Sequence, residues 1–313
     1  MNKYLLEIGV EELPARFINS SLEQMKNYTS KILNKKRIPF DEMKFYSTPR
    51  RLVLLIEGLP DRQEDLEQEV KGPSKKIAFD ENGSPTKALE GFMRGQGIKL
   101  EDIFVREYNN VEYIFANKIE KGRAVEEILK DNMADMIKSI SFPKSMKWGG
   151  KNLRFARPIR WLLSIFNDKV LEFDLEGIIA SNITRGHRFL GSSNIEVNNV
   201  EEYFLLLKDN YVIVDRDKRK EKIKYSCEKL AREKGGNLLY DEDLLDEITN
   251  IVEYPTPMIG RIKEEYLKLP KEAIITPMKE HQRYFPVIND KGMLLPYFIT
   301  CLLYTSDAAD EAR

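Results

Sequence analysis

Tyr4-Leu5-Leu6-Glu7-Ile8-Gly9-Val10 is apolar at almost every position, and Glu11-Glu12-Leu13-Pro14 comes directly after it. The first run reads as a strand. The second reads as the start of a helix, since proline is tolerated in a first helical turn and an acidic pair favours a helix N-terminus. Ile18, Leu22, Met25, Ile32 and Leu33 then recur at helical spacing. A strand that passes straight into a single helix sets the pattern for the rest of the chain.

Working outward, residues 43–47 and 51–57 read as two strands joined through Thr48-Pro49-Arg50-Arg51, and residues 60–84 read as polar and loop-like. Lys71-Gly72-Pro73-Ser74-Lys75-Lys76 lacks the spacing of a phosphate-cradling loop, and a proline interrupts it. Ser84-Pro85 caps a short helix that stops at Gly95-Gln96-Gly97. Residues 103–108 and 111–119 form a hairpin around Asn109-Asn110, because asparagine tolerates positive φ. Val125, Leu129, Met133, Met136 and Ile140 make the apolar stripe of a core helix that Pro143 terminates. A second hairpin turns at Asn167-Asp168.

Beyond Gly191 the pattern gives a short helix at 203–207 and a strand at 212–214. A charged helix begins at Asp215, with a solvated face, and precedes a core helix through Leu244, Leu245 and Ile248. A strand opened by the second histidine turns at Asp290-Lys291-Gly292 and returns over 293–300. Alternating hairpins and single helices imply an α+β fold, with mixed or antiparallel sheets and flanking helices on one side. A soft boundary at Gly149-Gly150 separates an N-terminal α+β domain, 1–148, from a second α+β domain, 149–300. Residues 301–313 turn abruptly small and acidic and read as a non-native or disordered tail.

The 313 residues carry 50 basic and 51 acidic side chains, so any nucleic-acid contact must come from local patches rather than a whole-protein field. Two cysteines, Cys227 and Cys301, make neither a disulfide framework nor a cysteine zinc site. No apolar run is long enough to span a membrane and no signal-peptide core is present, so the chain reads as soluble and cytoplasmic.

The only two histidines lie in closely matched surroundings, Thr184-Arg185-Gly186-His187-Arg188-Phe189 and Lys279-Glu280-His281-Gln282-Arg283-Tyr284-Phe285-Pro286. Guanidinium groups grip phosphates bidentately, imidazoles donate to them, and aromatic faces stack on bases. Arg185, His187, Arg188, Lys279, His281, Gln282, Arg283 and Tyr284 are therefore the first candidates for an RNA surface. The competing reading is a satisfied, half-buried histidine at a strand end beside surface arginines. Cations and aromatics also interleave over 143–161, adding Lys147, Trp148, Arg157 and Arg160, and the turn at 48–51 adds Arg50 and Arg51. The two tryptophans read equally well as plugs in the core.

Taken in order, Glu7 through Pro14, Thr48-Pro49-Arg50-Arg51-Leu52, Lys71-Gly72-Pro73, Met146-Lys147-Trp148-Gly149, Arg157-Pro158, Arg185 through Phe189 and Met278 through Phe285 resemble the beta subunit of heterotetrameric bacterial glycyl-tRNA synthetase. The resemblance covers essentially residues 1–300. It implies a cytoplasmic ligase that joins glycine to tRNA(Gly) at the expense of ATP. In that family the alpha subunit carries adenylation, with ATP and Mg²⁺ at its own site, and the beta subunit of an alpha2beta2 assembly contributes tRNA binding. It also implies partial similarity to the editing-type domain of the phenylalanyl-tRNA synthetase beta subunit. Family members continue into an HD-like domain and an anticodon-binding region, so the chain reads as an N-terminal piece.

The residues agree with that division: no His-x-Gly-His element, phosphate loop or metal-ligand spacing is present, and no cofactor or metal is expected on this chain. Three roles are open. The basic-aromatic segments hold the acceptor arm, or a histidine serves as general base in hydrolytic editing of mischarged tRNA, or the chain is an assembly scaffold with its tryptophans as interface anchors.

Overall fold

The computed structural model describes residues 1–150 and 152–301. β1 (Asn2–Val10) leads into α1 (Ala15–Lys35), which starts behind Pro14 and has no acid in its first turn. Glu11 and Glu12 stop short of the helix and are used elsewhere. β2 (Glu42–Thr48) and β3 (Arg51–Leu59) form the expected hairpin. The stretch expected to be loop holds β4 (Leu66–Ser74) and one turn of helix, α2 (Lys75–Ala78). β4 is an edge strand with no buried position, so no apolar alternation announces it.

α3 (Lys87–Gln96) is capped by Thr86 rather than Ser84 and stops at Gly97, whose φ is 67°. β5 (Ile103–Tyr108) and β6 (Val111–Glu120) meet at Asn109 and Asn110, with φ of 53° and 60°, a turn whose twist suits a hairpin. α4 (Val125–Ser139) is followed by β7 (Ile159–Phe166), which turns at Asn167 into the short β8 (Lys169–Val170). Three two-residue strands, β9 (Ala180–Ser181), β10 (Ile183–Thr184) and β11 (Ile195–Glu196), flank the first histidine stretch.

α5 (Tyr203–Asp209) comes next; residues 212–214, expected as a strand, join no sheet. α6 (Arg216–Glu233) starts at Asp215, whose carboxylate accepts from the N–H groups of Asp217 and Lys218 at 3.0 and 3.1 Å. The chain ends in β12 (Asn237–Leu238), α7 (Glu242–Ile251), β13 (Pro257–Arg261), α8 (Lys271–Glu280), β14 (Phe285–Ile288) and β15 (Leu294–Cys301). His281 caps the C-terminus of α8 instead of opening a strand. Of the expected tail, Cys301 is the last residue of β15, and 302–313 lie outside the described residues.

The largest sheet runs β2-β3-β1-β7-β8, with β9 parallel to β7. Its central strand β1 pairs antiparallel with β3 on one side and β7 on the other, so the sheet is continuous across the expected boundary at 148/149. Tyr4, Leu6, Ile8 and Val10 pack with α1 and α4. Leu5, Val53, Leu55, Leu163 and Ile165 pack on the opposite face with Val197, Tyr203 and Leu207. Helices thus cover both faces, not one. β1 is apolar at consecutive positions because it is buried on both sides.

A smaller sheet, β4-β6-β5, packs on α2 and α3 around Ile114 and Leu89. A third, β12-β14-β15-β13, packs on α6 and α7 through Ile223, Cys227, Ile248 and Phe285, forming a C-terminal lobe with its own core.

Candidate functional site

Glu7 is the one acid in β1 and shares the face of Leu5 and Gly9. It is fully buried. Three donors converge on its carboxylate: the indole N–H of Trp161, the hydroxyl of Thr184 at 2.7 Å, and the hydroxyl of Tyr203. Burial and the adjacent Glu7 push the Tyr203 hydroxyl well above its ordinary range, which keeps the proton needed to donate. The Trp161 ring lies against Gly9, where a Cβ would come within 2.0 Å of it. Arg50, Arg51 and Arg185 approach the same ring at 5.6, 5.8 and 4.9 Å. Both the glycine and the indole are fixed by this contact.

The second buried carboxylate, Glu253, lies just beyond α7 in the C-terminal lobe. It accepts from Thr48 Oγ1 at 2.7 Å, Arg51 Nη1 at 2.7 Å and Arg50 Nη1 at 3.3 Å. Burial works against its charge, but Arg51 and Arg50 outweigh that and hold its carboxyl below the ordinary carboxylate value. The same two arginines reach the histidine loop, Arg51 Nη2 donating to the carbonyl of Arg185 at 2.8 Å and Arg50 Nη1 to that of Gly186 at 3.3 Å. Arg51 is fully buried and so cannot meet a phosphate; its assignment to an RNA surface is corrected to a structural one. Arg219, expected on a solvated helical face, is likewise buried and donates to the carbonyls of Thr249 and Ile213 at 2.9 and 2.6 Å.

Asn210, at the end of α5, shapes the loop carrying His187. Its carbonyl accepts the N–H of His187 at 2.9 Å and its side chain the N–H of Ser192 at 3.0 Å. A Cβ on Gly186 would meet the Asn210 side chain at 2.7 Å, and one on Gly191 the Asn210 carbonyl at 2.5 Å. His187 is nearly buried. Its Nδ1 accepts the N–H groups of Phe189 and Leu190, both at 3.3 Å, so the neutral ring carries its hydrogen on Nε2. Burial lowers its pKa, partly countered by Glu253 and reinforced by Arg50, Arg51 and Arg188.

Two adjoining hollows, of about 410 and 420 Å³, share Arg50, His187 and Arg188 as a common wall. Six arginines (Arg50, Arg157, Arg160, Arg185, Arg188, Arg283) line them against three glutamates (Glu11, Glu12, Glu253). Arg188 pairs with Glu11 at 2.6 Å and with Glu12 at 3.4 Å, and Arg160 with Glu11 at 3.2 Å. This is where the acidic pair before α1 is used. Among the described residues Arg157 donates only to the carbonyl of Glu12, at 3.2 Å. Arg283 comes from the C-terminal lobe, held by Glu247 at 2.8 Å, and closes the first hollow with Tyr254. The two histidine segments therefore meet, but through Arg283 alone.

The other expected residues line neither hollow. His281 and Gln282 are exposed at the end of α8, Lys279 is paired with Asp241 at 2.8 Å, and Tyr284 stacks on Phe298 at 4.4 Å. Lys147 is exposed beside Asn152, while Trp148 packs against the main core. Sequence reading missed Glu7, Glu253 and Asn210. Only Glu7 carried a signal, a lone acid in an apolar strand; the other two sit in short polar connections whose partners are distant in sequence. Among the described residues no group of histidine, cysteine and acidic side chains is placed to hold a metal ion, and no helix is long and apolar enough to cross a membrane.

A family model described as glycyl-tRNA synthetase beta subunit matches residues 4–312. The chain is similar to the glycine–tRNA ligase beta subunit of Clostridioides difficile (strain 630), 55% identical over 300 residues that cover 96% of this chain and 44% of the relative. It is 49% identical over 296 residues to that of Desulforamulus reducens, covering 95% and 43%. It is 48% identical over 303 residues to that of Moorella thermoacetica, covering 97% and 44%. The chain spans less than half the length of these relatives.

Proposed function

The chain belongs to the glycyl-tRNA synthetase beta subunit family, and from that premise we propose that it holds the acceptor arm of tRNA(Gly) at the two arginine-lined hollows. In this reading the complete cytoplasmic enzyme is an alpha2beta2 assembly that joins glycine to tRNA with ATP. Adenylation, with its ATP and Mg²⁺, takes place on the alpha subunit. The observation that carries the reading is the excess of arginines over glutamates in a chain of almost no net charge. A local cationic surface is what a phosphate backbone requires.

Two other roles find less support. A general base needs an unprotonated nitrogen facing its substrate, and that nitrogen of His187 is taken by two backbone N–H groups. The tryptophans are poor interface anchors, since Trp161 is buried and Trp148 packs on the core. Arg157→Ala and Arg188→Ala in the full alpha-beta enzyme test the acceptor-arm reading. Each should weaken tRNA binding and reduce its log–log salt slope by about 0.7 to 0.9 for every phosphate the side chain had neutralised. Unchanged affinity and slope in both variants would overturn it.

A further inference from the structure

We propose that the wall formed by Arg50, His187 and Arg188 seats one phosphate of an unpaired RNA strand, with the nucleosides on either side entering one hollow each. This rests on the acceptor-arm reading and narrows it from the arm as a whole to its single-stranded end.

Three observations carry it. The first is shape. Two hollows of about 410 and 420 Å³ meet at a shared wall. A paired A-form helix offers a wide, shallow minor groove and a backbone, neither of which projects into such spaces, whereas unpaired nucleotides splay their bases out. The second is Arg50, more than nine-tenths buried and part of both hollows. Among the described residues its Nη1 finds acceptors at Gly186 and Glu253, and its Nε finds none. A buried guanidinium with unused donors at the junction of two openings suits an anion.

The third is the placement of flat groups. Tyr254 stands in the wall of the first hollow. In the second, Arg185 lines the hollow with its guanidinium 4.9 Å from the Trp161 ring, and a guanidinium plane is a group on which unpaired bases stack. Phe189, 49% exposed, stands beside the shared wall with its ring 6.3 Å from that of His187. Glu11 and Glu12 hold Arg188 through pairs that are more than a third exposed, and such pairs yield readily to a stronger anion.

The test uses the full alpha-beta enzyme with tRNA(Gly), with the same tRNA trimmed of its unpaired 3′ nucleotides, and with an unpaired ribotetranucleotide of that 3′ sequence. Binding is followed by fluorescence anisotropy. Trimming should weaken binding about tenfold or more, since each stacked base contributes on that scale. Arg188→Ala and Phe189→Ala should weaken the intact tRNA but leave the trimmed one unaffected, and the tetranucleotide should compete with intact tRNA. If Arg188→Ala weakens intact and trimmed tRNA equally, the arginines touch the paired stem: the inference fails and the acceptor-arm reading stands. If neither trimming nor Arg188→Ala changes binding, the inference fails, and an Arg157→Ala variant that is also silent takes the acceptor-arm reading with it.

Discussion

Arg51 Nη1 donates to Glu253 Oε1 across 2.7 Å, and the same guanidinium donates through Nη2 to the carbonyl of Arg185 at 2.8 Å. One fully buried side chain of the central sheet thus binds both the C-terminal lobe and the histidine loop. The position of Arg283 relative to Arg188, and so the shape of the first hollow, depends on that junction.

Glu253→Ala leaves Arg51 and Arg50 without their shared carboxylate in a dry setting. The expected loss is about 3 to 5 kcal/mol, the usual cost of breaking a buried ion pair by removing one partner. Denaturant midpoints of the wild type and the variant measure it. A difference below about 1 kcal/mol, the scale of an exposed pair, would mean that the junction contributes little.

The same carboxylate predicts an acid limb. The Glu253 carboxyl is held below its ordinary value of 4.5, chiefly by Arg51 and Arg50 acting against burial. A carboxyl whose folded pKa is depressed stabilises the fold above its unfolded pKa, and that contribution is lost as pH falls through the folded pKa. Wild-type stability should therefore decline on acidification below about 4.5, and the decline should be shallower in Glu253→Gln. Parallel pH–stability curves would remove Glu253 from the account.

His187 should be less protonated at pH 6.5 than an ordinary imidazole, because burial and then the neighbouring arginines lower its pKa against the pull of Glu253. An imidazole with a depressed folded pKa also costs stability as pH falls from 6.5 through the folded value, because the unfolded chain takes up the proton first. Nitrogen NMR of the ring in the tRNA-free protein should find the hydrogen on Nε2. A protonated ring, or a hydrogen on Nδ1, contradicts the loop geometry.

Much of the scaffold was legible. The asparagine turns, the glycine stop of α3 and the Asp215 cap are local chemistry, written in consecutive residues. β4 was not legible, because an edge strand that fully buries none of its side chains has no apolar period. The site was half legible for a different reason. Arg185, His187 and Arg188 belong to one segment, whereas Arg50 stands in the turn before β3 and lines the hollows while Arg51, the first residue of β3, is sealed beneath them. Both reach Glu253, a partner about 200 residues away, and nothing local in the sequence says which of the two is covered by that distant lobe. Arg283 joins the site while His281, two residues away, does not. That divergence comes from the unforeseen helix α8 and the positive φ of 56° at Arg283.

Gly9→Ala tests the packing that aims Trp161. The new methyl would sit within 2.0 Å of the ring, so the indole must leave its place above β1 and give up its bond to Glu7. Overpacking of this kind costs about 1 to 3 kcal/mol, and the Trp161 fluorescence, isolated in a Trp148→Phe background, should shift with it. Native stability and an unchanged spectrum would show that the ring is not held there.

The last prediction separates undocking of the C-terminal lobe from its unfolding. Cys227 and Cys301 are buried together in the core that α6 and α7 form with β14 and β15, apart from the two cores of the main sheet. The contact with Cys301, and then burial, push the Cys227 thiol well up, so it stays protonated and unreactive in the folded lobe. Glu253 lies outside that core and bonds to Thr48, Arg50 and Arg51 instead. Glu253→Ala should therefore loosen the lobe from the sheet while leaving its interior closed. Native-state labelling of both thiols should be as slow in the variant as in the wild type, even as tRNA affinity falls. Labelling that accelerates in step with the affinity loss would mean that the Arg51–Glu253 junction holds the lobe's own core together.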